Sequence, residues 1–242
     1  GLCSGVYTVS ITDAVGCTIE IVLGPIDAAA YCPLCGADAG TILVTQTGSG
    51  VTTVNNGVDA SPFILCYNDQ IDLETQGDYT LPPPAGPPWT TPGLIYIIYT
   101  CPPSSPDPNT DPCYTGVAWT GENLYETNDG SLLSVLETSF GVISTDNELW
   151  FVPTVIDDAG SWNLDSNGDG CFDQGFPIQV TFLEEILATP TVSCGGEVDL
   201  FVTGGSPDFY PDSYTVVNNG PGTLVNNIGL ASGGTFSITG LS

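Results

Sequence analysis

The residues best placed by type and spacing to do chemistry are Asp165, Asn167, Asp169, Cys171 and Asp173, in the run Asp165-Ser166-Asn167-Gly168-Asp169-Gly170-Cys171-Phe172-Asp173. Oxygen donors at alternate positions, followed by a glycine that permits a sharp turn, match the opening of a D-x-[DN]-x-[DN]-G calcium loop. Asp165, Asn167 and Asp169 would offer side-chain oxygens, Cys171 its carbonyl and Asp173 a carboxylate, for Ca²⁺ as the one cofactor implied. The closing bidentate Glu of such a loop is missing, since its place holds Phe176. Glu184 or Glu185 substitutes for it only by tertiary approach. The same residues also read as a tight Asn/Gly/Asp turn between strands, which needs no metal. Both readings stay open.

Other groups carry weaker signals. Asp157-Asp158 and Glu184-Glu185 are paired acids, and two carboxylates can serve a glycosidase when held apart correctly. No substrate groove is indicated, so they are expected as solvated surface or cation ligands. Cys32-Pro33-Leu34-Cys35 is a C-x-x-C, but a redox pair of this kind opens a helix in a βαβ setting. This one lies in an Ala/Gly-rich stretch, and structural disulfides to different partners are expected. Cys101 and Cys113 flank Pro102–Pro112 and are expected to close that loop, and Cys66 is expected to bridge Cys171. Trp89, Tyr96, Tyr99 and Trp119 could form an aromatic platform for a glycan or surface ligand. Core or loop packing is the expected role.

Composition narrows the function classes further. The 242 residues contain 28 Asp and Glu but no Lys, Arg or His, for a net charge of -28. Nucleic acid is excluded as a partner, because nothing here can neutralise phosphates. Attraction to an anionic lipid surface fails for the same reason. Mechanisms that need a His base, a Lys nucleophile or an Arg clamp are excluded, and no enzyme is expected. The chain is nevertheless not a disordered polyanion: 41% of it is hydrophobic and 10% aromatic, with a mean hydropathy of +0.19, whereas disorder goes with low hydrophobicity. Nine Cys without any His argue for disulfides in an oxidising, extracellular setting rather than for zinc. No signal peptide is evident, and no apolar run reaches the ~18 residues of a membrane helix, so no membrane insertion is expected. The absence of Met is expected to mark a piece excised from a longer chain.

The elements that must position these groups are strands. Strands are expected at Val6–Ile11, Cys17–Leu23, Thr41–Thr45, Phe63–Leu65, Ile71–Glu74, Leu94–Tyr99, Leu149–Val152, Ile178–Phe182, Val198–Val202, Tyr214–Val217 and Thr235–Ile238. Asn/Gly/Asp turns separate them. The longest helix candidate, Leu132–Leu136, is too short to count. Leu81–Pro92 is an extended loop, because its prolines cannot donate to a sheet ladder. Short strands at this spacing predict an all-β fold of immunoglobulin-like β-sandwiches.

The two ends carry a family resemblance. Gly5-Val6-Tyr7-Thr8-Val9-Ser10-Ile11-Thr12-Asp13-Ala14-Val15-Gly16-Cys17 resembles the close of repeats in gliding-motility adhesins of Bacteroidota. Cys194-Gly195-Gly196, Gly204-Gly205-Ser206-Pro207 and Ile238-Thr239-Gly240-Leu241 resemble the opening of the same repeat. The resemblance covers about 81 residues and is vaguer over 28–188. It implies a long extracellular, cell-surface filament of β-domains exported by the type IX secretion route, adhesive or structural in role, without catalytic residues. The expected organisation is therefore tandem immunoglobulin-like modules with half-modules at both ends. Residues 1–27 are the C-terminal strands of one repeat, 28–188 a central sandwich, and 189–242 the N-terminal strands of the next. Copies or neighbouring repeats would join head to tail, with Cys17 of one half-module bridging Cys194 of the other. A calcium- or carbohydrate-binding module is the alternative.

Calcium gives the first test. Converging carboxylates in a chain with no internal cation are costly unless a divalent ion is bound. Ca²⁺ is expected to raise the thermal unfolding temperature, and Asp165→Ala or Asp169→Ala to remove most of the increment. A melting curve unchanged by excess chelator would overturn the calcium reading.

Overall fold

The computed structural model describes residues 5–12, 18–26, 36–48, 51–55, 62–83, 91–105, 107–142, 144, 147–160, 164, 171–193, 196–206, 213–225 and 228–240. Its strands, in chain order, are β1 (Gly5–Thr12), β2 (Thr18–Ile26), β3 (Ile42–Gly48), β4 (Val51–Asn55), β5 (Phe63–Leu65), β6 (Gln70–Thr75), β7 (Gly93–Tyr99), β8 (Tyr114–Thr120), β9 (Asn123–Thr127), β10 (Glu148–Ile156), β11 (Asp173–Gln174), β12 (Ile178–Phe182), β13 (Leu187–Ser193), β14 (Glu197–Thr203), β15 (Tyr214–Thr215), β16 (Thr223–Val225), β17 (Ile228–Leu230) and β18 (Gly234–Thr239). A single helix among the described residues, α1 (Ser131–Phe140), joins β9 to β10. The protein is all-β, in several sheets with no barrel.

Two sheets form the central sandwich. One runs β4-β3-β6-β9, all antiparallel. The other runs β5-β12-β10-β7-β8, with β11 added beside β10 and β5 parallel to β12. Sequence pattern decides which sheet is covered once and which twice. In β6 the residues alternate, Ile71 and Leu73 buried between exposed or half-buried neighbours, so this sheet has one apolar face. In β7 (GLIYIIY) and β10 (ELWFVPTVI) the apolar run is continuous, and both faces are buried. Leu94, Tyr96, Ile98, Leu149 and Phe151 face the core between the sheets. Ile95, Ile97, Tyr99, Trp150 and Val152 face a second core with Leu164, Cys171 nearby and Phe172. Pro153 is tolerated inside β10 because it falls where the neighbouring strand changes from β12, opposite 148–151, to β11, opposite 154–155.

The loop between β7 and β8 is closed by a Cys101–Cys113 disulfide, as expected. Its interior is organised by Asp111, whose carboxylate accepts N–H bonds from Ser104 (2.6 Å), Ser105 (2.8 Å) and Cys113 (2.8 Å). The expected Cys66–Cys171 bridge is not formed. Cys66 is an exposed free thiol, whereas Cys171 is buried and engaged in another disulfide. Cys66 lies at the outer end of β5 on the first core, and Cys171 lies against the second core on the far side of the sheet, which keeps them apart.

The helix corrects the expectation that Leu132–Leu136 is too short to count. Asp129 Oδ1 accepts the N–H of Ser131 at 2.8 Å, and Gly141 ends the helix in the left-handed region (φ 68°). The Gly141 N–H bonds the Glu137 carbonyl and the Val142 N–H the Leu136 carbonyl, a Schellman-type close. Leu136 is buried, with Leu132, Leu133 and Val142 packed on the core.

The C-terminal residues form a four-stranded antiparallel sheet β13-β14-β18-β16 and a two-stranded sheet β15-β17. The expected division between 188 and 189 falls inside β13. Only Val202, Tyr214 and Phe236 are fully buried here among the described residues. The hairpin β1-β2 pairs with no other strand among the described residues.

Asn128 holds the central unit to the segment that leads out of it. Its side-chain amide donates to the carbonyls of Leu65 (2.9 Å) and Leu183 (2.8 Å), and the residue is buried. Asn128→Ala leaves both carbonyls short of a partner, and a loss of about 2 kcal/mol is expected. A melting temperature lower by roughly 4–8 °C checks it; an unchanged one would show that the amide holds nothing.

Candidate functional site

The functional site is the junction where the central sandwich hands the chain to the C-terminal sheets, together with the open strand β15 beside it. After β12 the backbone passes through 183–186, exposed at Glu184, Glu185 and Ile186. The N–H of Leu183 donates to the Leu65 carbonyl (2.9 Å), and the N–H of Gly205 to the Glu184 carbonyl (3.0 Å). Gly204 adopts a positive φ of 87°, and a Cβ there would collide with the carbonyl oxygen of Glu185. Only glycine allows the β14–β15 loop to press this closely on the connecting segment. The Tyr214 hydroxyl donates to the Gly204 carbonyl from the start of β15. The two units are thus tied by backbone bonds on both sides of the junction. Between them lies an apolar recess of about 460 Å³, lined by Tyr67, Leu183, Ile186, Ser213 and Tyr214 with the free Cys66 at its wall.

Strand pairing identifies what the C-terminal unit contains. In the central sandwich β3 pairs β6, β6 pairs β9, and β7 pairs β8, all antiparallel. In the C-terminal unit β13 pairs β14, β14 pairs β18, and β15 pairs β17, also antiparallel and in the same chain order. The central unit then adds β10 and β12, antiparallel to each other, with β10 antiparallel to β7. Among the described residues the C-terminal unit has no counterpart of these two strands. Its sheet face is correspondingly under-covered. Val192 is 76% exposed, Val198, Leu200 and Ile238 are only half-buried, and all seven residues of β13 are exposed.

The sequence-predicted residues divide unevenly. Asp165, Asn167 and Asp169 lie outside the described residues, as do Cys17, Cys194, Cys32, Cys35 and Trp89. Asp173 sits in β11, where its carboxylate accepts the Ala39 N–H at 2.9 Å. Burial raises its pKa, against the lowering effect of that bond. Among the described residues no group of three Cys, Asp or Glu is arranged to hold a metal. Asp157 and Asp158, expected as solvated surface or cation ligands, are buried at the end of β10, which removes the surface reading. Glu184 and Glu185 are exposed at the junction. Tyr96 and Tyr99 are fully buried and cannot belong to a glycan platform, although Trp119 is 39% exposed. The Tyr96 hydroxyl instead donates to the carbonyls of Leu73 and Glu122, across the sandwich. Burial pushes the Tyr99 phenol up to about 12, and its oxygen accepts from Gln174. The junction itself was not singled out from the sequence. The pair Gly204-Gly205, read there only as part of a repeat motif, was its available signal.

No protein family, curated protein or solved structure matches the chain. No helix among the described residues is long and apolar enough to cross a membrane.

One acid in the central sheet titrates in an accessible range. Burial, then the nearby charge of Asp129, pushes Glu126 on β9 up to about 7 from its ordinary 4.5. A folded-state pKa above the unfolded one means that its stabilising contribution is full below pH 4.5 and is lost as pH rises through 7. The melting temperature is therefore expected to fall between pH 5 and 8. Glu126→Gln should raise it at pH 8 and flatten the slope; an unaltered slope in the variant would assign the pH dependence elsewhere.

Proposed function

We propose that the chain is a structural building block of an extracellular, cell-surface fibre or adhesin, made of immunoglobulin-like sandwiches that join head to tail. The observation that carries this reading is the strand pairing at the junction. The C-terminal unit repeats the pairing pattern of the central sandwich up to its last two strands, and the N-terminal hairpin is a pair of antiparallel strands without a sheet. The order and direction of β3-β6-β9 against β8-β7-β10-β12 support the immunoglobulin-like assignment for the central unit. A protein built this way bears load and spaces contacts along a fibre.

Chemistry supports the same role. The buried groups serve packing: Tyr96 and Tyr99 fill the cores, and Asp111 shapes a disulfide-closed loop. The disulfides suit an oxidising compartment. A fibre also tolerates a charge of -28, which repels unrelated anionic surfaces and keeps the assembly soluble. The adhesive role, type IX export and a part in gliding motility come from the resemblance of the two ends to gliding-motility adhesin repeats.

Electron microscopy of the purified chain at physiological salt is expected to show rods or filaments whose repeat matches one central and one completed terminal sandwich. A glycan array is expected to stay blank. Monomeric particles that bind a defined sugar would replace this reading with that of a carbohydrate-binding module.

A further inference from the structure

The reading above leaves open which surfaces meet, and the strand registers answer it. We infer that the hairpin β1-β2 of one copy completes the C-terminal unit of a second copy, with β1 adding to the free edge of β15, antiparallel to it. The sheet becomes β17-β15-β1-β2, as β8-β7-β10-β12 is in the central sandwich. This inference rests on the proposed head-to-tail assembly and names its contact.

Two independent features point to this occupant. The first is polarity. In the central unit the start of β7 meets the end of β10, with Gly93 opposite Ile156. Carried over, the start of β15 meets the end of β1, so the Thr12/Thr18 end of the hairpin comes to the junction, beside the apolar recess. The second is the pattern of the hairpin itself. Its register sets Tyr7 opposite Leu23, Val9 opposite Ile21 and Ile11 opposite Ile19, so residues of one parity are apolar on both strands. The other parity pairs Thr8 with Val22, Ser10 with Glu20 and Thr12 with Thr18, and is mostly polar. A two-stranded hairpin does not hold an apolar face in water without a second layer. The under-covered face of Val192, Val198, Leu200 and Ile238 is that layer, since these residues share one parity of β13, β14 and β18.

The contact joins two different surfaces, so each copy offers one hairpin and one open edge. Such heterologous contacts propagate instead of closing, and the bonding is strand addition to a sheet edge. Cys17 precedes β2 and Cys194 follows β13, so the two fall at opposite ends of the completed unit. The arrangement therefore holds through strand pairing rather than through a Cys17–Cys194 bridge.

The test uses the full chain in two variants. Val9→Pro spoils the donor strand and Thr215→Pro spoils the acceptor edge, because proline removes a ladder donor and clashes in the strand. Sedimentation velocity is expected to show concentration-dependent assembly of the wild type and a monomer for each variant alone. An equimolar mixture of the variants should stop at dimers, since it holds one intact hairpin and one intact edge per pair. Near-UV dichroism of the central sandwich checks that each variant has folded. Hydrogen exchange of the wild type keeps the question decidable if one has not, with protection expected at 5–12 and 214–217 only at high concentration. Assembly that survives in either folded variant would overturn this contact while leaving the fibre reading intact. A wild type that stays monomeric at every concentration would overturn both. Protection of both segments independent of concentration would mean that the hairpin folds back within one copy.

Discussion

With 28 carboxylates and no Lys, Arg or His, this chain has no side-chain cation with which to pair an acid. Each acid that enters the fold must be satisfied by other means, and backbone N–H groups supply much of them. Asp111 takes three, from Ser104, Ser105 and Cys113. Asp69 takes the N–H of Cys66, Asp78 that of Thr41, Asp129 that of Ser131 and Asp173 that of Ala39. Such charge-assisted bonds are about twice as strong as neutral ones, and they cost no desolvated second ion. Burial alone would push the Asp111 carboxyl up, but its N–H donors together hold it below the ordinary range. The acids thus serve as loop organisers, which explains how so anionic a chain folds with sharply defined turns.

The same constraint bears on sheet edges. Soluble β-proteins commonly guard an open edge with an inward-pointing Lys, a device this chain lacks. Its remaining protections are proline, acidic charge and completion by another strand. Pro190 on β13 shows the first, on an edge strand where a missing donor is harmless. Asp199 and Glu197 on β14 show the second. The edge of β15 carries neither in its two paired residues, Tyr214 and Thr215. That difference makes completion the physically consistent fate of β15.

Much of the fold was legible because alternation and continuous apolar runs report directly on how many faces are covered. The strands at β6, β7, β10, β12 and β14 follow from that rule, as does the hairpin β1-β2. What escaped had mixed signals. β8 (YTGVAWT) and β9 (NLYET) alternate poorly, because parts of each are exposed on both faces. β13 (LATPTVS) reads as a loop, since it contains Pro190 and buries nothing. The helix had its signals, Asp129 before it and Gly141 after it, but its apolar positions 132, 133 and 136 make a pattern too brief to separate from a strand. The Cys66–Cys171 pairing failed because cysteine type carries no information about which side of a sheet a residue reaches. The junction recess was illegible for a related reason: it is assembled from segments far apart in sequence, around 66, 185, 205 and 214.

The two ends of the chain, by contrast, were legible as halves of one module, and the registers give that reading a mechanical form. A sandwich that lacks its last two strands cannot bury Val192, Val198, Leu200 and Ile238 by itself. A hairpin with one apolar parity cannot stand alone. Each defect has the shape of the other's remedy, and the polarity copied from β7 and β10 leaves one way to fit them. The contact places the hairpin end at the junction, where the Gly204–Glu185 approach and the Gly205–Glu184 bond already lock the two units of the receiving copy. An incoming strand therefore meets a rigid seat instead of a hinge. Tension along a fibre would then run from the hairpin through a sheet into a braced junction and on into the central sandwich. Sheet hydrogen bonds loaded along the strand direction share force across the whole ladder, whereas a flexible linker would yield first.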